Sequence, residues 1–373
     1  MHDPDDEDLN LRVAGELQDL GLVHSVTHAR IAYRRAARAV LALEEPVDAV
    51  VERGALRSLR HIGPASERIV LEVLEHGHSD TVARAVAGSG RADVIEDAHR
   101  MRANFLSRAG ALHALHANHP GAVTREECRA DLQMHTEWSD GAAGIESMAA
   151  AGRERGYTHI AVTDHGYGLP IAGGISMLEA RDQHAAIARA NAEWQGAFRV
   201  LRGIEANIPA AGGVDMEPAE LAEFELVLAA PHSKLRRPED QTERMLAAVR
   251  HPSVHVLAHP RGRMMTRQGV LANWDDVFAA AARHGVAIEL DGDPWRQDLD
   301  HALARRALAA GCLFALDSDA HSPGELRYAD IAVAHARLAG IPAERVINTW
   351  AVDRLVEWAA RGAPRGRARQ APR

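Results

Sequence analysis

The chain has very little cysteine: Cys128 and Cys312 are its two thiols among 373 residues. Two thiols cannot build the disulfide framework of a small secreted domain, so this composition favours a reducing, cytoplasmic setting. No run approaches the roughly 18 apolar residues that a membrane helix needs. The first ten residues are acidic and polar, unlike a signal peptide. We therefore expect a cytoplasmic protein without a membrane segment.

An excess of positive charge is also lacking. The 43 Lys and Arg residues are outnumbered by 52 Asp and Glu residues, which gives a formal net charge of -9 with histidine counted as neutral. A net acidic chain has no global attraction for nucleic acid, so any such binding has to be local. The chain also contains 22 histidines. The acidic excess therefore has a second interpretation, namely carboxylates gathered to bind cations.

Two kinds of pattern divide the sequence. In the first part, apolar residues recur at three- and four-residue spacing, as in segments 30–43 and 67–77, and a further helical stretch covers 92–116. A segment with proline and glycine at its centre follows and indicates a linker. We predict a helical domain over residues 1–116, a linker over 117–127, a second domain over 128–360 and a disordered basic tail over 361–373.

After the linker, short apolar runs alternate with helical stretches. Seven runs are typical of strands and each precedes a helix or loop, which predicts repeated β/α units and a mainly parallel sheet. The runs are RADLQMH, HIAVTDH, FRVLRGIE, FELVLAAPH, VHVLAHP, VAIELDG and CLFALDSDAH. The helices predicted between and after them cover residues 145–155, 177–194, 240–249, 274–283, 301–310, 329–339 and 352–360.

Histidines and carboxylates fall at the ends of these strands. A single histidine after a strand is more often structural than a metal ligand. In an α/β barrel, however, the loops that follow the strands open on one face, so such residues converge. Burying many imidazoles and carboxylates together without cations would cost several kcal/mol each. Imidazole with carboxylate suits Zn, Mn or Fe, and the scarcity of cysteine argues against a structural zinc site.

The region from Asp131 to about Trp358 resembles a PHP (polymerase and histidinol phosphatase) domain. It is more narrowly similar to the C-terminal PHP domain of bacterial family X DNA polymerases. The motifs that carry this resemblance run in order along the second domain. They are DLQMHTEWSDG, HIAVTDHG, IAGGIS, GIEANI, APHSK, LAHPRGR, IELDGDPWRQDL, DSDAHS and INTW.

The resemblance implies a distorted (β/α)7 barrel preceded by a small all-α domain, with two to three divalent ions of Mn, Zn or Fe. Glu205 is the expected bridging carboxylate, and the expected catalytic residues are Glu205, His259 and Asp319. The usual His-x-His opening is Gln133-x-His135 here, and a glutamine carbonyl suits Mn or Mg better than Zn. The ligand positions carried over are Gln133, His135, Asp140, His165, Glu205, His232, His259, Asp319 and His321.

Basic and acidic residues beside the ligands complete the predicted site. Four basic residues are candidates for binding the phosphate through charge-assisted hydrogen bonds. These are Lys234, Arg261, Arg263 and Arg296. The alternative is that they form a solvent-exposed rim of the site and bind no ligand. Three carboxylates are candidates for orienting imidazoles. These are Asp164, Asp291 and Asp317.

The N-terminal part is similar to the small helical DNA-binding domain of the same polymerases, through AYRRAARAV and LRSLRHIGPASERIVLEVLEHG. Such helix-hairpin-helix elements bind a phosphate on backbone N–H groups at a helix N-terminus. The hairpin is degenerate here, because His61 and Pro64 stand where a glycine and a basic residue are usual. A plain helical bundle is the alternative. Gly77 and Cys128 are too close in sequence to enclose a polymerase palm, so we predict no nucleotide polymerisation.

The function expected from the resemblance is metal-dependent hydrolysis of phosphate esters on DNA ends, as a 3'-5' exonuclease, a 3'-phosphatase or both, in DNA repair. One alternative is a small-metabolite phosphatase of the histidinol-phosphatase type. Another is a metal-weak DNA-binding module without turnover, which Gln133 and the altered hairpin favour. Metal-dependent amide hydrolysis is disfavoured, because such barrels typically open with His-x-His and add a lysine bridge. The sequence leaves the oligomeric state open.

Overall fold

The structure, a computed structural model, describes residues 8–361. The chain divides into two compact units between Ala117 and Asn118. Apart from Arg361, the predicted basic tail lies outside the described residues, as does the segment before Asp8. None of the described helices combines the length and apolar character needed to cross a lipid bilayer.

The first unit is built of helices throughout its described part. They are α1 (Leu9–Val23), α2 (Thr27–Leu41), α3 (Val47–Glu52), α4 (Pro64–His76), α5 (Asp80–Ser89), α6 (Ala92–Arg102) and α7 (Arg108–His116). The stretch predicted as helical over 92–116 is two helices, because Asn104 adopts a positive φ of 61° and the Ser107 side chain accepts a hydrogen bond from the Gly110 N–H to begin α7.

The hairpin before α4 keeps an unusual backbone. A single 3-10 turn (Leu56–Ser58) leads into it, and α4 begins at Pro64 with Gly63 as its N-cap. His61 between them has a φ of 72°, in the left-handed region that favours glycine. The histidine therefore occupies a conformation that a glycine would adopt without strain.

The described part of the second unit contains seven strands in one parallel sheet whose spatial order follows the sequence. They are β1 (Ala130–Asp131), β2 (His159–Val162), β3 (Arg199–Asn207), β4 (Leu226–Ala230), β5 (Val256–Leu257), β6 (Ala287–Asp291) and β7 (Leu313–Asp317). A parallel bridge between Met134 and Ala320 joins the first strand to the last, and the His135 N–H donates to the Ala320 carbonyl at 2.8 Å. The sheet therefore forms a nearly closed barrel.

Helices connect the strands, because parallel neighbours cannot be joined by a tight hairpin and need a crossover segment. The connecting helices are α8 (Ile145–Glu154), α9 (Met177–Trp194), α10 (Pro218–Leu221), α11 (Thr242–Val249), α12 (Trp274–His284) and α13 (His301–Ala309), and α14 (Ala329–Ala339) and α15 (Val352–Arg361) follow β7. The predicted fold class, a distorted (β/α)7 barrel preceded by an all-α part, is confirmed.

The side chains inside the barrel change from apolar to ionisable along the strands. Because side chains alternate between the two faces of a strand, Glu205 lies on the same face as Leu201, and Asp317 lies on the same face as Ala315. Leu201 and Ala315 belong to one buried apolar cluster, which also includes Leu355 of α15. Apolar side chains thus fill the end of the barrel where the strands begin, and ionisable side chains fill the other end.

Candidate metal centre

Glu205 is the centre of the ionisable end of the barrel. Its side chain is fully buried, and four imidazoles surround its carboxylate. Oε1 lies 2.9 Å from His259 Nε2 and 3.1 Å from His232 Nε2. Oε2 lies 3.2 Å from His135 Nε2 and 3.3 Å from His165 Nδ1. Four loops that are distant in sequence therefore meet at one carboxylate.

Asp140 forms a second meeting point nearer the solvent. Its Oδ1 lies 3.4 Å from His321 Nε2, 3.6 Å from His165 Nε2 and 3.9 Å from His135 Nδ1. The Asp140 and His321 side chains are 36% and 34% exposed, whereas Glu205 is 0% exposed. The centre is therefore open to solvent on the side of Asp140 and His321.

Asp319 marks the third position, and Gln133 lies beside it. Asp319 Oδ1 is 3.0 Å from His135 Nε2 and accepts a hydrogen bond of 3.4 Å from the Gln133 amide. Asp319 Oδ2 pairs with Arg296 Nη1 at 3.0 Å. Each oxygen of the Asp319 carboxylate thus has a partner, and the Gln133 side chain acts toward it as a hydrogen-bond donor.

The predicted ligands come together in three overlapping sets whose ligand atoms lie within 4.8 Å of one another. The sets are His135, Asp140, His165 and His321; His165, Glu205 and His232; and His135, Glu205 and Asp319. His259 and Gln133 join them through Glu205 and Asp319. All nine residues predicted as ligands therefore lie in one place.

The donor atoms fit divalent cations. His135 Nδ1, His165 Nδ1 and Glu205 Oε2 are buried and have no hydrogen-bond partner among the described residues, an arrangement that is costly unless another group satisfies them. Two ligand atoms that share one cation with bonds of ~2.1 Å are separated by about 3.0 to 3.5 Å. Most of the measured separations around Glu205 and Asp140 fall in or near that range.

Charge and burial set the protonation states of three of the ligand residues. Burial acts to raise the pKa of Glu205, but His165 and His232 hold it well below its usual value. Burial also acts to raise the pKa of Asp319, but Arg296 and His135 outweigh it, so that pKa is lowered. Burial, with help from Arg296, lowers the pKa of His259 to about 4. At neutral pH both carboxylates are ionised and His259 offers a free lone pair.

The loops reach this geometry through strained turns. His259 and Asp319 have φ values of 26° and 52°, which L-residues seldom adopt. The His259 N–H donates to Glu289 Oε2 at 2.6 Å, and Glu289 is itself buried in β6. Strained backbone of this kind is typical of positions where function fixes the side chain.

The three carboxylates predicted to orient imidazoles contact other groups instead. Asp164 accepts hydrogen bonds from the Thr136 N–H (2.8 Å), Ser139 Oγ (2.5 Å) and Gln183 Nε2 (2.7 Å). Asp317 accepts from the Leu132 N–H and the Asn348 amide, and Asp291 accepts from the Asp293 N–H. All three lie at strand ends as predicted, but they brace the loops rather than the imidazoles.

The four predicted phosphate-binding cations have different surroundings. Arg263 is 2% exposed, and its guanidinium donates to the Arg296 and Gln297 carbonyls and pairs with Asp300 at 2.9 Å. This residue therefore braces the loop that carries Arg296 and does not face the solvent. Arg296 and Arg261 are 21% and 20% exposed, and Lys234 is exposed. Arg267, which was not among the predicted cations, lies in the same loop as Arg261 and is half-buried.

Comparisons with known proteins agree with this geometry. The family model of the PHP domain matches residues 131–251. The chain is 33% identical over 224 residues to the DNA polymerase/3'-5' exonuclease PolX of Bacillus subtilis, a match that covers 60% of this chain and 39% of that protein. The chain thus spans about two fifths of the length of this relative.

A shorter relative is matched almost completely. The chain is 30% identical over 235 residues to a probable phosphatase of Serratia proteamaculans, which covers 58% of this chain and 89% of that protein. Among solved structures, a histidinol phosphate phosphatase from Lactococcus lactis, complexed with zinc, L-histidinol and phosphate, matches 56% of this chain and 94% of its own. Its TM-score of 0.39 and identity of 13% are too low to support a conclusion.

The family and the enzyme class predicted from the motifs are confirmed. The family model covers the first five histidine and carboxylate ligand positions, from His135 to His232, and the phosphatase relative extends the likeness along nearly its whole length. The chain therefore belongs to the PHP domain family of metal-dependent phosphoesterase hydrolases.

Proposed function

We propose that this protein hydrolyses phosphate esters on DNA ends, as a 3'-5' exonuclease, a 3'-phosphatase or both. The observation that carries the proposal is the Glu205 carboxylate with four imidazole nitrogens 2.9 to 3.3 Å from its oxygens. That arrangement occurs in a chain 33% identical over 224 residues to a protein named as a polymerase and exonuclease. A role in DNA repair in a reducing cytoplasm is part of the proposal, and the free thiols Cys128 and Cys312 are consistent with it.

Two to three Mn, Zn or Fe ions are the proposed occupants of the centre, bound by the three overlapping ligand sets. Bound cations supply a water nucleophile that ionises near neutral pH and neutralise charge on the phosphoryl oxygens. Glu205 provides the shared negative charge at the centre, and Arg296 fixes the orientation of Asp319. The solvent-exposed edge at Asp140 and His321 is the proposed entry for the ester.

The first unit is the proposed DNA-binding domain. Its hairpin adopts the left-handed turn at His61 where a glycine is usual, and α4 begins directly after it. Helix α2 exposes Arg34 and Arg35 to solvent. A local cationic face of this kind supports binding to the phosphate backbone even though the whole chain is acidic.

The test is an end-labelled single strand incubated with protein loaded with Mn, Zn or Fe in turn. Stepwise shortening from the 3' end, or release of phosphate from a 3'-phosphorylated strand, is the expected result. The Glu205→Gln variant is the control and should be inactive because it removes the shared ligand. Full activity in that variant would mean that a contaminating enzyme or another site is responsible, and the proposal would fail.

A small-metabolite phosphatase is the second candidate, and the match to a probable phosphatase over 89% of its length favours it. Such an enzyme should hydrolyse small phosphomonoesters such as histidinol phosphate and leave the labelled strand intact. The third candidate, a metal-weak DNA-binding module, is favoured by the Gln133 amide facing Asp319. It should bind the strand but show no turnover with any divalent ion.

A further inference from the structure

One side of the centre carries cations without acidic partners. The loops after β4 and β5 present four of them, named here the cationic strip: Lys234, Arg236, Arg237 and Arg267. None forms an ion pair with a carboxylate of residues 8–361, whereas the neighbouring Arg261 and Arg296 pair with Asp300 and Asp319. Although the net charge of the chain is -9, these four cations form a local positive patch in two adjacent loops.

The backbone under the strip is firmly anchored. Leu235 is buried between its exposed neighbours, and Gly262 of the β5 loop approaches it so closely that a Cβ there would lie 2.8 Å from Leu235 Cδ2. The Gln241 amide donates to the Lys234 carbonyl at 3.1 Å, and Arg244 donates to the Ser233 carbonyl at 2.9 Å. The cations therefore project from a fixed surface, so little order has to be gained when a ligand binds.

Hydrogen bonds connect the strip to the loop after β5, which also carries the ligand position His259. Arg236 Nη1 donates to the Thr266 carbonyl at 3.3 Å, and Arg267 Nε donates to the Gly262 carbonyl at 2.9 Å. Burial, together with repulsion from Arg296 and Arg236, lowers the pKa of Arg267 to about 10. The three arginines are thus close enough to repel one another, and Arg296 contacts Asp319. A line of positive charge leads outward from the centre.

The loops after β2 and β3 have no such charge. Neither the segment from Gly166 to Ala180 nor the segment from Gly203 to Ser233 contains a Lys or Arg residue. Tyr167 there donates to Glu220 at 2.7 Å, and Ile171 is 94% exposed. The loops after β2 and β3 therefore lack the positive charge of the loops after β4 and β5, and a chain of phosphates is attracted to the latter.

We propose that the cationic strip binds phosphates that lie beyond the scissile one on a single nucleic-acid strand, so that the preferred substrate is an oligonucleotide end rather than a mononucleotide or a small phosphomonoester. This inference rests on the proposed function. A scissile phosphate needs only the cations of the centre. Arg236 and Arg237 are exposed in the loop that follows His232 and have no carboxylate partner among residues 8–361, so they can bind such further phosphates.

Substrate length provides the first test. We expect KM to fall by about tenfold from a dinucleotide to a tetranucleotide and little further to an octanucleotide, because the strip offers a limited number of phosphate contacts. Equal KM values for the dinucleotide and the octanucleotide would overturn the proposal.

A charge-neutralising pair of variants provides the second test, in the full chain. Arg236→Gln with Arg237→Gln should raise KM for the octanucleotide about tenfold and lower the slope of log affinity against log salt by about 1.4, since each phosphate contact on a single strand contributes about 0.7. The matched control is Arg153→Gln with Arg283→Gln, two exposed arginines in the last turns of α8 and α12. These turns lie at the end of the barrel where the strands begin, so the control should leave KM and the salt slope unchanged.

Binding without turnover separates this inference from the proposed function. Fluorescence anisotropy of a labelled octanucleotide with chelator-treated protein measures affinity alone. If no divalent ion supports hydrolysis but the Arg236/Arg237 variant still binds more weakly than the control, the proposed function fails and the strip stands. If strand ends are hydrolysed but the variant matches the control in KM, affinity and salt slope, the proposal that the cationic strip binds phosphates is wrong and the proposed function stands.

Discussion

Histidines occur at both ends of the barrel, and their surroundings differ. At the end where strands begin, His255 is held by backbone groups: its Nδ1 accepts from the Val227 N–H at 3.0 Å, and its Nε2 lies 3.1 Å from the Ala359 carbonyl. Burial lowers its pKa to about 4. At the other end, the His135 ring stacks on those of His165 and His321, with centroids 4.3 and 4.4 Å apart.

Two buried glutamates show the same contrast. Glu205 is surrounded by imidazoles, and although burial opposes it, the pKa of Glu205 is held well below the usual range. Glu289 faces the His259 N–H and the carboxylates Asp317 and Asp291, and burial and repulsion raise its pKa well above that range. Residue type and burial are alike in the two cases. Only the neighbouring groups explain why the pKa of Glu205 is lowered, as a cation ligand requires, while that of Glu289 is raised.

The largest effect expected from this contrast is on the two glutamates themselves. Glu205→Gln should remove most of the bound metal and lower kcat by more than about 100-fold, because losing an outer partner of a ligand already costs about 10- to 100-fold. Glu289→Gln should retain its metal and lose less activity, because the Glu289 carboxylate contacts the His259 backbone N–H and no imidazole nitrogen. Metal analysis and initial rates measure both variants. Equal metal loss in the two would mean that the contrast in their neighbours has no functional meaning.

An intermediate effect is expected at Gln133, the one predicted ligand position that carries an amide. Gln133→His should replace the donor facing Asp319 with an imidazole lone pair and increase metal retention at the His135, Glu205 and Asp319 set by about tenfold. Metal content after dialysis against a chelator is the measurement. Gln133→Leu is the control and should not increase retention. An unchanged metal content in Gln133→His would show that the amide does not limit this position.

The smallest effect is expected for His255, at the end of the barrel where the strands begin. In the unfolded chain the pKa of His255 is near the ordinary histidine value of 6.5, whereas in the folded chain it is about 4. The unfolded state therefore binds a proton first as the pH drops through this interval. This group lowers the free energy of unfolding by up to about 3 kcal/mol over that interval. His255→Asn should reduce that dependence. Urea unfolding at neutral and mildly acidic pH measures it.

The same variant checks that His255 has no role in the centre. Its neutral-pH stability should fall by about 1 kcal/mol through the lost bond to Ala359, while metal content and turnover stay at the wild-type level. A large loss of metal in His255→Asn would remove the distinction between the two ends of the barrel.

Much of the barrel could be predicted from the sequence because it depends on local periodicity. All seven strand runs occur as strands in the described structure, and helices Met177–Trp194 and Ala329–Ala339 have the predicted bounds. Helix Asp80–Ser89 was missed, because it is short and its Ser79 cap stands among glycine and histidine. The convergence of the ligands followed from one rule of barrel topology, that strand ends share a face.

The directions of individual side chains could not be predicted, because they depend on packing between loops. Arg261 and Arg263 alternate in one motif, yet Arg263 is buried against backbone carbonyls and Arg261 remains partly exposed. Asp164 directly precedes the ligand position His165 but binds Thr136 and Gln183. Neighbours in sequence thus have different tasks, and no local pattern distinguishes them.

The bridge between Met134 and Ala320 has a consequence for biosynthesis. The seam joins the first strand of the barrel to the last, and the set of His135, Glu205 and Asp319 straddles it. A ribosome-bound chain that has not yet released β7 lacks both the seam and Asp319. Such a nascent chain cannot assemble this ligand set. The metal centre is therefore incomplete until the final strand has been translated and has paired with the rest of the barrel.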